Sequence, residues 1–588
     1  MTKNFLLKIH FWRTKYINDQ AFLIIASIIV GIVAGLAAVL LKTSVHLLHR
    51  IPELYQKYFD FNLWLIFFPI FGIILTIIII KYLLRGKIEK GLGAILYAIS
   101  RKSSKIHISN TYSHLITSGI TVGLGGSAGL EAPIAVTGSA IGSNISSFFN
   151  LGHKERTLLL ACGAAAGIAA VFNSPIAGVI FALEVLLVEF SIPAFIPLLI
   201  SAASGTIISK LLYKGSIFYL ISNDWVMNAI PFYIVLGIVC GLISVYMKRT
   251  TLSIETFFHN KNLKLLKTIS GLIILGLLIF LLPPLFGEGY SSIESLLKGN
   301  FSEILNFSIF ESFKNNAWFI LAFVVAIIFL KVIATALTIG SGGNGGIFAP
   351  SLFTGAFTGF GLSYFVNTTG ISHLYITNFI VVGMAGVLSG VVHAPMTAIF
   401  LIAEITGGYS LFVPLMIVSA LSFFITRIFE PHSIYTKRLA MQGQLLSDDK
   451  DNNVLLTLNL TDLIEKDFVV LKSNDHLQEL IDAFSKSKRT IFPVVNENMD
   501  FEGVIYLDKV KNLLFKTELY NKFVISELTE KISTIDISEN MGTVMSKFEK
   551  SNLWNIPILE GNQYIGFISR SNILTYYRRT LKKSSSFF

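Results

Sequence analysis

Apolar residues run uncharged over residues 21–41 and 61–80, each stretch long enough to cross a bilayer as a helix. Between them His46, His49, Arg50 and Glu53 read as a solvated loop, with too few ligands in reach of one another to hold a metal. A short helix with a basic exit is expected over residues 91–105. From residue 110 to 213 the apolar pieces shorten and are broken by Gly, Ser, Asn and Pro, as in SGITVGLGGSAGLEAP and ACGAAAGIAAVFNSPIAGVIFALEV. Helices this short cannot all cross the bilayer singly, so the pattern predicts tilted, half-length elements packed closely through small residues.

The pattern then restarts. Long apolar segments at 231–247, 268–286 and 317–330 lead to a second glycine-rich break, IGSGGNGGIFAPSLFTGAFTGFG, and to more short helices up to about residue 430. Two halves, 21–215 and 229–430, each place a Gly-rich turn ending in Ala-Pro before a helix. That arrangement predicts an internal repeat with one site at its interface.

From residue 444 the composition turns polar and no membrane-length run recurs, which predicts a separate soluble α/β domain over 444–588. It holds two similar units, about 455–515 and 524–580. Short β runs are expected at 492–495 and 503–506 in the first and at 555–559 and 566–569 in the second.

Composition fixes the class. Of 588 residues 53% are hydrophobic and 14% charged, with 48 Phe. Together with a mean hydropathy of +0.67 this describes a polytopic membrane protein. The net charge of +11 lies in loops without a basic stripe and interleaved aromatics, so it reads as positive-inside anchoring and not as nucleic-acid binding. The basic segment 1–20 lacks a small-residue cleavage site, so the first apolar run is expected to be a retained helix with both termini in the cytoplasm. Cys162 and Cys240 lie in apolar segments and read as packed thiols. No nucleophile–base pair, metal-ligand spacing or phosphate loop points to an enzyme or a metal.

The chemistry gathers at GLGGSAGLEAPIAVTGSAIG, residues 123–142. Glu131 is the one acid there, and Pro133 suits the opening of a helix. Glycines admit close backbone approach, and a helix N-terminus with bare N–H groups and a positive dipole end favours an anion. Glu131 reads either as a movable competitor for that anion or as an acid stabilising a helix start. An acid at membrane depth favours the first.

In order and spacing these residues resemble the CLC family of chloride channels and chloride/proton exchangers over about residues 20–580. The carriers are Gly129-Leu130-Glu131-Ala132-Pro133, similar to G-[KR]-E-G-P, and Gly346-Ile347-Phe348-Ala349-Pro350, matching G-x-F-x-P. VFNSPIAGVIFALE, HAPMTAIFLIAEIT and SIYTKRL extend them. The polar C-terminal part resembles a tandem pair of CBS domains. The resemblance implies an all-α inverted repeat of tilted and broken helices followed by the α/β CBS pair, assembled as a homodimer in the cytoplasmic membrane. Glu131 would be the gating and proton-coupling acid. Backbone around Gly129, Leu130 and Glu131 and at Gly346, Ile347 and Phe348 would bind chloride or a related anion, and the Tyr435 hydroxyl would line the inner side.

Departures from the family bear on mechanism. KIEKGLGAILYAIS replaces the family's G-S-G-I-P, removing a hydroxyl from the central site, and Leu130 replaces a basic residue of the outer vestibule. The position after Glu184, where exchangers commonly carry a proton-transferring glutamate, is Val185, and Glu189 is the nearest further acid. Glu184 and Glu404 are expected to hold helices together. A passive channel is therefore expected, with a proton-coupled chloride or fluoride antiporter as the alternative. In the CBS pair the adenine-nucleotide positions read Tyr506 and Asp508 in the first unit and Ser569 and Asn572 in the second, without the ribose-binding acid in its place. A structural, dimer-stabilising role and nucleotide sensing both stand, and no cofactor is required.

Overall fold

The computed structural model describes residues 16, 18–58, 64–86, 88–89, 91–187, 192–213, 224–259, 264–441, 460–513, 515–539 and 541–585. The chain divides into two compact units, Met1–Leu445 and Leu446–Phe588.

Among the described residues of the first unit the regular elements are helices, joined by turns and irregular segments. Its first half contains α1 (Asp19–Tyr58), α2 (Trp64–Ile78), α3 (Leu92–Arg101), α4 (Ser113–Gly123), α5 (Glu131–Phe148), α6 (His153–Phe172), α7 (Pro175–Phe181) and α8 (Ile192–Leu212). Its second half contains α9 (Ile230–His259), α10 (Lys264–Leu281), α11 (Tyr290–Leu297), α12 (Ala317–Gly340), α13 (Phe348–Thr368), α14 (Ile376–Val392), α15 (Pro395–Ile405) and α16 (Phe412–Phe429). Among the described residues seven helices are long and apolar enough to cross a membrane.

The halves repeat each other contact by contact. Helix α5 lies against α6 so closely that a Cβ on Gly138 would come within 2.0 Å of Gly163 O, and one on Gly142 within 1.9 Å of Leu159 O. The same spacing recurs where α13 meets α14: Gly355 would meet Gly383 O at 2.2 Å and Gly359 would meet Phe379 O at 1.9 Å. Small residues four apart let backbone lie on backbone, which is how helices gain packing energy in lipid. Both α6 and α14 end on a left-handed residue, Asn173 (φ 56) and His393 (φ 61), before a proline-led half-helix.

The half-helices exchange acids. The Glu404 carboxylate, at the end of α15, accepts the N–H groups of Ile176 (3.0 Å) and Ala177 (2.8 Å) at the start of α7. Glu184, beyond α7, accepts Met396 N–H (3.2 Å), Thr397 N–H (2.8 Å) and the Thr397 hydroxyl (2.7 Å) at the start of α15. Each carboxylate thus satisfies donors that a helix start leaves without intrahelical partners.

Two local expectations are corrected. His46, His49 and Arg50 lie on α1, whose helix continues past the apolar run, so the expected loop is helix. Helical hydrogen bonding persists because nothing in KTSVHLLHRI breaks it, and the His49 ring packs on Phe286 with centroids 5.2 Å apart. Helix α5 begins at Glu131 itself, so Pro133 is its third residue and not its first. Its missing N–H costs nothing there, because first-turn N–H groups have no intrahelical acceptor.

The second unit repeats internally as well. Strands β1 (Leu471–Lys472), β2 (Ile491–Val495) and β3 (Phe501–Tyr506) form one sheet, and β4 (Ile535–Asp536), β5 (Asn555–Glu560) and β6 (Gln563–Ser569) form another. In each the first pair is parallel and the second antiparallel, with a register shift at Val494/Val495 and at Ile558/Leu559. The repeats clasp each other: Glu465 and Phe567 exchange backbone hydrogen bonds of 2.8 and 2.9 Å, and Val504 and Glu530 exchange two of 2.9 Å.

Candidate functional site: two glycine-rich breaks and a carboxylate

The two glycine-rich breaks meet at one pair of hydrogen bonds. Gly129 N–H donates to Gly346 O (2.9 Å) and Gly346 N–H donates to Gly129 O (2.7 Å). Leu130 and Ile347, at φ −93° and −95°, then turn the chain into α5 and α13. Two helix starts therefore converge where the halves join, with Glu131 and Phe348 as equivalent first residues. Both are buried, at 1% exposure each.

The Glu131 carboxylate turns across to the opposing half. Its Oε2 accepts the long Ala349 N–H contact of 3.4 Å at the start of α13, and its Oε1 accepts the Tyr290 hydroxyl at 2.8 Å. A Cβ on Gly129 would lie 2.2 Å from the same Oε2, so glycine leaves the room the carboxylate fills. The acid occupies a place suited to an anion, held by a helix N-terminus and one hydroxyl. Phe348 closes the apolar side, its ring 5.6 Å from that of Phe172 and 6.4 Å from that of Phe181.

Tyr435 is buried near this carboxylate, and its hydroxyl makes no hydrogen bond. A buried donor without an acceptor is costly unless something fills the place. A Cβ on Gly93, in the first turn of α3, would stand 3.3 Å from Tyr435 O, so the start of α3 lies beside the tyrosine. Gly91 precedes that helix with φ 76° and no side-chain cap, so this third helix start offers backbone and no hydroxyl.

Val185 lies half-buried just after Glu184 in the segment Ala182–Leu186. Glu189 falls outside the described residues. Removing a reciprocal cap should cost about 1–2 kcal/mol. Glu184→Ala and Glu404→Ala are therefore each expected to lower the thermal unfolding midpoint of the detergent-purified protein, and midpoints equal to wild type would show that the caps carry no load.

Of the residues that complete the site, Ala349 stood only within its motif, and Tyr290, Glu288, Lys331 and Lys42 were not singled out in the sequence. Tyr290 and Ala349 hold Glu131. Glu288, two residues before Tyr290, lines one cavity wall with Leu130 and lies within electrostatic reach of Glu131, Lys331 and Lys42. Lys331 is fully buried and donates to Leu285 O (3.3 Å) and Gly287 O (2.9 Å). Lys42 donates to Ala170 O and Val171 O, both at 3.2 Å, where α6 ends. The signal for Glu288 was present in FGEGY, an acid bracketed by glycines after an apolar run, the same local grammar as Gly129 to Glu131.

In the second unit Ser569 and Asn572 line one cavity with Glu465, Arg489 and Trp554. Both polar side chains are engaged: the Ser569 hydroxyl donates to Glu465 at 2.5 Å and the Asn572 amide donates to Leu463 O at 2.9 Å. Burial works against the Arg489 charge, but the Asp467 and Glu465 carboxylates outweigh it and hold the guanidinium above its ordinary value. Tyr506 and Asp508 lie outside that cavity. At the matching end of the first repeat Lys509 lies over the Tyr506 ring and pairs with Glu530 at 2.6 Å.

Comparison with known proteins gives the family and the fold. The family described as voltage gated chloride channel matches residues 72–427, and the CBS domain matches residues 460–516 and 525–579. A putative chloride channel protein ClcB-like of Ralstonia nicotianae is 28% identical over 381 residues, 63% of this chain and 84% of that protein. Among solved structures, a eukaryotic CLC transporter aligns with a TM-score of 0.60 at 18% identity, over 94% of this chain and 97% of its own. A slow cyanobacterial chloride/proton antiporter gives 0.58 at 21%, over 72% and 98%. A CLC-type fluoride/proton antiporter gives 0.56 at 24%, over 70% and 96%. These structural likenesses carry the fold. The chain belongs to the voltage gated chloride channel family, the CLC family of anion transport proteins, and carries a tandem pair of CBS domains.

Proposed function

We propose that the protein is a passive chloride channel whose gate is the Glu131 carboxylate. The observation that carries this reading is that the carboxylate sits at the start of α13, on Ala349 N–H and the Tyr290 hydroxyl, where a permeating anion would sit. An anion and the carboxylate compete for one set of donors. Protonation of Glu131, or displacement by an arriving anion, removes the competitor and opens the way. Gly129, Leu130, Gly346, Ile347 and Phe348 supply the backbone of the site, and Tyr435 receives the anion on the inner side.

Passive conduction is favoured over exchange by the inner side. Val185 carries no proton, and the neighbouring Glu184 is committed to the start of α15. A second reading, proton-coupled antiport of chloride or fluoride, is favoured by the solved relatives that are named chloride/proton and fluoride/proton antiporters. Purified protein in liposomes, with a chloride gradient and a pH electrode outside, separates the two. Chloride flux without uphill proton movement supports the channel, and chloride-driven proton uptake overturns it in favour of exchange. Fluoride flux without chloride flux would trace to the hydroxyl-free start of α3.

The Tyr435 hydroxyl is read as a donor to the anion. Tyr435→Phe should cost about 1 kcal/mol of anion binding, seen as a roughly fivefold rise in the chloride concentration giving half-maximal flux. An unchanged value would remove Tyr435 from the pathway. The family resemblance supports a homodimer in the cytoplasmic membrane and the charge pattern supports cytoplasmic termini, with the CBS pair in a structural role, its Ser569 and Asn572 side chains being already engaged.

A further inference from the structure

The loop Phe286-Gly287-Glu288-Gly289-Tyr290 is fastened over the gate from several sides. Gly287 N–H donates to Gly125 O at 3.1 Å. Lys331 holds Leu285 O and Gly287 O from α12. Phe286 packs on Gly125, where a Cβ would come within 2.0 Å of its ring, and Gly289 (φ 86°) packs as closely on Phe353, at 2.4 Å. The loop thus delivers two side chains to Glu131 in a fixed way. Tyr290 donates its hydroxyl to the carboxylate, and Glu288 lines the cavity beside Leu130, the residue just before Glu131.

Glu288 also borders a cavity of about 540 Å³ that leads away from the gate and includes Leu130 and Tyr290 in its wall. Several elements bring charged groups within electrostatic reach of Glu288. From α5 comes Glu131, from α12 Lys331, and from α1 Lys42, with His46 and His49 further along the same cavity wall. Tyr213, following α8, feels the Glu288 charge, and Glu303 also lines the cavity. Lys42 already bonds Ala170 O, Val171 O and the Ser209 hydroxyl, and Lys331 bonds two carbonyls. The cations therefore balance the charge of the pair without either of them being a dedicated partner of Glu131.

We propose that Glu288 is the partner carboxylate of the gate, sharing one proton with Glu131 and setting the pH at which the gate opens. Two adjacent carboxylates under protein cover do not both ionise freely, and their titration belongs to the pair. A proton arriving from cavity water binds Glu288. With that one proton residing on Glu131, its bond to Glu288 given up, Glu288 is ionised, the pair's total charge is unchanged and Glu131 is neutral and free to leave the anion site. This rests on the reading of Glu131 as the gate.

The test is chloride efflux from proteoliposomes holding the full chain, at the same pH on both faces, across a pH series. Replacing Glu288 by Gln removes a negative neighbour while the lysine charges remain, so more acid is needed to protonate Glu131. The flux midpoint is expected to fall by about one pH unit, which is about a fivefold lower rate at the wild-type midpoint. Glu288→Ala should shift it the same way, and Glu288→Asp, which keeps the charge, should stay within about 0.3 unit of wild type. The Ala and Asp variants decide the matter if Gln does not give monodisperse protein. Wild-type midpoints in all three, with Glu131→Gln insensitive to pH, overturn the proposal and leave the gate standing. A Glu131→Gln protein that keeps its full pH dependence overturns the gate itself.

Discussion

Glu131→Gln is expected to conduct chloride at every pH, with less than about twofold variation across a range in which the wild type changes about tenfold. Glutamine has the shape of the acid, and its carbonyl can still accept the Tyr290 hydroxyl that Oε1 accepts now. What it lacks is the charge. The site at the start of α13 binds a negative group through a helix dipole and an N–H, so a neutral amide competes poorly with chloride there. In the wild type the competitor is charged above the midpoint and neutral below it, so flux rises as pH falls. In the variant the competitor itself no longer titrates and the slope disappears. Stopped-flow or electrode measurement of chloride efflux against pH reads this directly. A variant with the wild-type slope would make Glu131 a structural acid at a helix start, and the pH dependence would have to be sought elsewhere.

The equivalence of the two breaks was legible because Gly129 to Pro133 and Gly346 to Pro350 share a pattern in which glycine, an apolar residue and Ala-Pro fall at the same spacing. What that spacing could not give was the partner of each break. The Ala349 N–H and the Tyr290 hydroxyl reach Glu131 from 218 and 159 residues away in sequence, and no local periodicity encodes such contacts. The sequence reading also ended apolar segments at Leu41, Met247 and Leu330, each just before a lysine. The helices run straight through Lys42, Lys248 and Lys331 and bury all three. A lysine normally marks the edge of a span because its charge is costly in lipid. Here each ammonium donates to acceptors brought by another part of the fold: Ala170 O and Val171 O, Glu430 O, and Leu285 O with Gly287 O. Those acceptors are loop and helix-end carbonyls, which every residue has, and so they leave no trace in composition. Glu184 and Glu404 were legible as helix-holding acids for the opposite reason. Each lies in one of two matching runs that also contain the proline-led helix start the other caps.

Gly163→Ala is expected to be among the most damaging single changes in the membrane unit, although it adds one methyl group. Its Cβ would stand 1.9 Å from Gly138 O and 2.5 Å from the carbonyl carbon, against backbone of the facing helix. No rotamer change relieves a clash with backbone, so α5 and α6 must separate by about an ångström along their contact. In lipid there is no water to expel between helices, and close packing is most of what holds them together. Overpacking of this kind costs about 1–3 kcal/mol or more. The displacement also acts on function, because the helix that moves is the one whose first residue is Glu131. Gly383→Ala repeats the experiment in the other half, where Gly355 O would be 2.3 Å from the new Cβ, and is expected to cost a similar amount. Gly408→Ala is the control, since nothing lies within 4 Å of a Cβ there. The readout is the yield of monodisperse protein and its thermal midpoint, with Gly163→Ala and Gly383→Ala falling together and Gly408→Ala staying with the wild type. Should Gly163→Ala behave like the control, the backbone-on-backbone contact of α5 with α6 would not be what fixes Glu131 in place, and the gate would have to be positioned by the Gly129–Gly346 hydrogen bonds alone.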